Sequence, residues 1–118
     1  MCARFSKDGK EMKPGDEVEV RCKHASRKVA WAGFAKTETL PWWQKNGGEL
    51  VDVHADRFAE RANDNHDLIW DYVPPGHVIR GLIEKEKGLL KIVTRAATDD
   101  ETKKFRHSRM PVLEPPLW

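Results

Sequence analysis

Turn signals cut this chain into short apolar segments, and that punctuation constrains its fold more than any other feature. Pro14-Gly15-Asp16, Asn46-Gly47-Gly48 and Pro74-Pro75-Gly76 each interrupt the pattern. Glycine takes backbone angles that other residues avoid, and proline removes a backbone donor, so such clusters end regular structure. The segments between them read as strands. Residues 17–22, Glu-Val-Glu-Val-Arg-Cys, alternate apolar and polar side chains, which suits a half-buried strand. Residues 28–34 are more apolar and predict a more buried one, and 49–55 follow the Asn46-Gly47-Gly48 turn as a third. Residues 68–73 stop at Pro74-Pro75-Gly76, and 77–83 and 89–94 flank an apparent hairpin connection at 84–88. The polar stretch 56–65 spaces Phe58 and Ala62 one helical turn apart and predicts a short helix. Thr98-Asp99-Asp100-Glu101 is a capping box, so a second helix is expected from there to about Phe105. The fold expected is α+β, mostly antiparallel β, a compact curled sheet or partial barrel with few short helices.

At 118 residues the chain is expected to form a single domain, 1–118, with one modest core. A net charge of +2 gives no global field for nucleic acid, so any such site must be a local patch. The two cysteines, Cys2 and Cys22, lie outside any CxxC spacing. Cys22 and His24 have metal-ligand side chains without a second pair at a zinc-like spacing, so neither metal nor cofactor is expected. There is no basic-then-apolar leader and no apolar run near ~18 residues, so the expectation is a cytoplasmic protein with free thiols and no membrane partner. Gly47-Gly48 is isolated and reads as a turn rather than a phosphate loop, and no GxSxG elbow occurs.

Position 2 offers the most specific chemistry, and an incidental small residue fits the same position. Trimming of Met1, which a small second residue permits, leaves Cys2 with an α-amine and a thiol on adjacent carbons. The amine has an ordinary pKa of about 7.7–8.0 and the thiol one near ~8.5, so both are nucleophilic near neutral pH. An aldehyde meeting the pair forms an imine with the amine, and the thiol then closes a thiazolidine ring. Of the five histidines, His54 lies in a strand-like segment and His107 just beyond the capped helix, while His66 and His77 flank loops. The densest basic stretch is Arg21, Lys23, His24, Arg27 and Lys28, leading to Trp31. Basic residues beside aromatics suit a groove for single-stranded nucleic acid, and a solvated strand edge fits the same residues.

The two ends of the chain, taken together, resemble the SOS response-associated peptidase family. The start Met1-Cys2-Ala3-Arg4-Phe5 is similar to the family's Met-Cys-Gly-Arg. Trp31-Ala32-Gly33-Phe34 with Pro41-Trp42-Trp43-Gln44-Lys45 is similar to its Trp-Gly-Leu and Pro-x-Trp-x-Lys segments. The most specific likeness is Ile92-Val93-Thr94-Arg95-Ala96-Ala97, the capped helix, and then His107-Ser108-Arg109-Met110-Pro111-Val112. The resemblance implies capture of abasic sites in single-stranded DNA by the N-terminal cysteine, as a thiazolidine crosslink in the DNA damage response. It implies Cys2 as nucleophile, His107 as an acid–base group, and His54 in place of an asparagine that steadies the amine. It implies Arg4 as a phosphate contact, Trp31 and Trp43 on the DNA-binding surface, and Arg109 in a structural or phosphate-binding role. The family's glutamate motif has no clear counterpart, and Asp71 and Glu60 are the candidates for its carboxylate. Two other readings are a nucleic-acid-binding relative without the chemistry and a peptidase that processes only its own N-terminus.

Overall fold

The computed structural model describes the backbone of residues 2–118 and the side chains of residues 3–118. Met1 and the Cys2 thiol, on which the aminothiol expectation rests, lie outside the described residues. The fold is α+β and dominated by antiparallel strands, as the punctuation implies. Among the described residues, β1 (Cys2–Lys7), β2 (Lys10–Met12), β6 (Arg57–Arg61) and β7 (Leu68–Tyr72) form one sheet in the order β2-β1-β6-β7. The second sheet is built on β3 (Glu17–Arg21), β4 (Ser26–Lys36), β5 (Glu49–Val53), β8 (Val78–Ile83) and β9 (Leu90–Ala96). Pairing runs β9-β4-β3-β5-β8, and β8 pairs again with β9, so these strands close on themselves as a small barrel. The β4–β9 pair is parallel and the rest of the ring antiparallel. Two short strands, β10 (Arg109–Pro111) and β11 (Leu113–Glu114), attach the tail to β9 and β8.

The expected helix over 56–65 is a strand, β6, and then a turn. Phe58 does sit in the core, but Ala59 and Glu60 are buried beside it. A strand covered on both faces loses the alternation that would reveal it. Helix α1 (Leu40–Lys45), after a 3-10 turn at 37–39, carries its proline in the first turn, where no donor is lost. Helix α2 (Asp99–Phe105) has the expected reciprocal cap between Thr98 and Glu101.

The aromatic core joins the two sheets. Phe5 of β1 lies 5.0 Å from Trp31 of β4, ring centre to ring centre, and Phe34 meets Trp31 edge-on at 6.1 Å. Trp31 is fully buried, and its indole N–H donates to the Gly33 carbonyl at 3.2 Å. This corrects the expectation that Trp31 lies on a DNA-binding surface: a ring with no exposure has no face on which a base can stack. Trp31→Ala is therefore expected to destabilise the fold by about 3–5 kcal/mol, read as a lower urea midpoint.

Candidate active site

β1 runs between β2 and β6 with Phe5 opposite Phe58 and Arg4 opposite Ala59. The register then shifts between Arg4 and Cys2, which brings the Cys2 backbone opposite Glu60. A bulge of this kind twists a strand and re-aims the residues beyond it. Glu60 is completely buried, and burial pushes its carboxyl up to about 7 from an ordinary 4.5. It is thus able to hold or release a proton near neutral pH. Asp71, the other candidate carboxylate, is bound to Lys104 at 2.7 Å and held below its ordinary value. It lies opposite Phe58 on β7, two positions along the ladder from Glu60. The structure therefore favours Glu60 as the carboxylate near Cys2.

Beside this end of β1 is a cavity of about 290 Å³, lined by residues that include Arg4, Phe34, Asn63, His66 and His107. Phe34 reaches it because β4 carries a second bulge, where the register shifts between Trp31 and Phe34. Gly33 sits in that bulge at φ +109, a region that a side chain strains. Trp31-Ala32-Gly33-Phe34 thus turns one aromatic into the core and presents the next to the cavity.

His107 comes directly after α2, which ends at Arg106 in the left-handed conformation, φ +49. The backbone N–H of Arg109 donates to His107 Nδ1 at 3.0 Å, which places the proton of the neutral ring on Nε2. Burial holds the His107 pKa below its ordinary 6.5, so the ring is neutral at pH 7. Arg4 lines the same cavity and donates from Nη1 to the Ala3 carbonyl at 2.7 Å. Arg4 and His107 therefore converge on one cavity from opposite ends of the sequence.

The other expected residues do not join them. His54 is exposed between β5 and β6 and lines a separate concavity with Lys7, Arg21 and Trp118, so it is not placed to steady an amine at β1. Arg21 of the basic stretch lies in that second concavity too, and no residue from 21–28 lines the cavity beside β1. Arg109 grips Glu38 through two donors, at 2.9 and 3.2 Å, and the Thr94 carbonyl at 2.7 Å. That pairing brings Glu38 down to about 2 and braces the tail against the turn before α1. Trp43 is half-buried against Ala35, Leu82 and Val93, whereas Trp42, meeting it edge-on at 5.1 Å, is 59% exposed. Of this pair, the indole available to a ligand is that of Trp42. Sequence reasoning passed over Arg61, Asn63 and His66 as lining residues, because the segment that holds them reads as helix and loop.

Among the described residues no helix is long and apolar enough to cross a membrane. No family model matches the chain, and neither a curated protein nor a solved structure shows significant similarity to it.

Proposed function

We propose that this chain is a short, diverged relative of the SOS response-associated peptidases, and that it captures abasic sites in single-stranded DNA through Cys2. The observation that carries the reading is the pairing of the Cys2 backbone with that of Glu60, a buried carboxyl pushed up to about 7, on the strand whose next residues, Ala3 and Arg4, line a cavity shared with His107. An abasic sugar in its open form exposes an aldehyde. The α-amine of Cys2, freed by loss of Met1, adds to that carbon, and water leaves to give the imine. The sulfur then attacks the same carbon as the thiol proton passes to nitrogen, closing a thiazolidine. Opening the sugar and expelling water each need a proton moved, and Glu60 and neutral His107 are the groups at hand for that.

The test is a denaturing gel with single-stranded DNA carrying one abasic site. The parent protein is expected to give a shifted band that vanishes with Cys2→Ala and with undamaged DNA. A shift that persists in Cys2→Ala would contradict the reading and move the bond to a lysine. His107→Ala is expected to slow the band's appearance by about 10²–10⁴-fold while leaving the final yield largely intact, because acid–base help changes rate and not product. Unchanged kinetics would remove His107 from the site. For affinity, Trp42→Ala is expected to weaken binding of single strands by about 1–3 kcal/mol, with Trp43→Ala instead lowering the melting temperature. Fluorescence anisotropy and thermal melts separate the two.

A further inference from the structure

We infer that Arg61 and His66 form a phosphate-binding corner of the cavity beside β1, taking the phosphodiester next to the captured sugar. The inference rests on the proposed function for the identity of the ligand, and on the cavity itself for the charge it selects. Two arginines, Arg4 and Arg61, line it with His66, the neutral ring of His107 and the amide of Asn63; no carboxylate among the described residues does, and Glu11 lies 3.9 Å from Arg4 Nε at its edge. A concave surface with donors of one sign and few opposing charges concentrates anions, and guanidinium groups match phosphate oxygens well. The acidic residues nearby in sequence are engaged elsewhere. Asp64 accepts from Arg106 Nε at 3.0 Å, and Asp67 accepts from the Asn65 side chain at 2.9 Å.

The β6–β7 turn is also built to hold this corner in one shape. His66 has left-handed backbone, φ +63, a conformation that a non-glycine residue adopts only at a cost. Its N–H donates to the Ala62 carbonyl at 3.0 Å, and its own carbonyl accepts from Arg61 Nη1 at 2.9 Å. Asn63 N–H donates to the carbonyl of Arg106, also left-handed, at 3.0 Å, which locks the turn to the end of α2 and so to His107. Among the described residues, the His66 carbonyl is the partner of the Arg61 guanidinium, whose other N–H groups remain for a ligand. Backbone strain pinned from two sides is characteristic of ligand clamps.

The experiment measures binding without chemistry. The probe is a short oligothymidylate with one tetrahydrofuran residue, which has the shape of an abasic site and no aldehyde. Two further versions carry an uncharged methylphosphonate in place of the phosphodiester on the 5′ or the 3′ side of that residue. The parent protein is expected to lose about tenfold in affinity with the neutral linkage on one side only. His66→Asn, which tolerates the left-handed backbone, and Arg61→Gln are expected to bind the charged probe correspondingly more weakly. Both should lose little more when that linkage is neutral, and their salt slope should fall by about 0.7 per contact. Should Arg61→Gln melt early, His66→Asn carries the comparison. Variants as sensitive as the parent to the neutral linkage, or a parent indifferent to both, would overturn the inference. A parent that binds as expected here but fails to crosslink a true abasic site would contradict the proposed function and leave the phosphate corner standing.

Discussion

Glu60→Gln is expected to make the protein more stable and slower at once. Both Glu60 and the unfolded chain hold the proton at low pH. Above its ordinary 4.5 the unfolded chain releases the proton, while the folded protein retains it up to about 7. The stability that Glu60 contributes is therefore complete below pH 4.5 and is lost as pH rises through about 7. The gap corresponds to about 3 kcal/mol in all, for a side chain with no exposure. Glutamine has similar size and no charge to bury, so the variant's urea midpoint should change little over that window where the parent's falls. Its crosslinking rate should drop by about 10²–10⁴-fold if Glu60 moves a proton as proposed, since glutamine carries none to move. A variant that is less stable at pH 8, or one that reacts at the parent's rate, would remove Glu60 from the role given to it. Such opposition between stability and activity is usual for groups held in a costly state for function.

The second large effect falls far from the cavity. Arg80 is almost fully buried and donates to Asp52, to Glu114, and to the carbonyls of Val51 and Pro115. Asp52, with no exposure, also accepts the backbone N–H groups of Leu117 and Trp118, at 3.0 and 2.9 Å. Burial pushes the Asp52 carboxyl up, yet those N–H groups and the guanidinium outweigh it and hold the group below its ordinary 3.8. Arg80→Ala strands that charge and is expected to cost about 3–5 kcal/mol, a large part of a small domain's stability. Asp52→Asn should cost less, because the amide oxygen still accepts from the tail. The parent's stability from this group is present above pH 3.8 and is lost as pH falls below it, which acid titration of the melting temperature checks. Equal melting temperatures for Arg80→Ala and the parent would contradict this picture of the tail's anchor.

Sequence patterning carried the barrel strands and the capped helix because their signals are local. Val18 and Val20 alternate with exposed glutamates on β3, and Thr98 lies three residues before Glu101. β6 escaped because Phe58, Ala59 and Glu60 are all buried, leaving neither a period of two nor any hint that Glu60 is dry. The Cys2–Glu60 pairing depends on a register shift that no residue pattern announces. Trp31 and Trp43 are indistinguishable from surface aromatics in a sequence, and only packing shows that both are covered while Trp42 beside them is exposed. The place of His107 after a capped helix was legible and its role was expected only from the resemblance of the tail, whereas the chain's path, which sets His54 at a different concavity, was not legible.

The central claim is a covalent bond at Cys2, and mass spectrometry of the crosslink tests it most directly. The parent protein, incubated with single-stranded DNA bearing one abasic site, is digested with nuclease and trypsin. The expected product is the N-terminal peptide Cys2-Ala3-Arg4, lacking Met1 and carrying the sugar with loss of a single water, as condensation to a thiazolidine requires. The same peptide recovered unmodified, with the sugar on a lysine or on a peptide that retains Met1, would contradict the account.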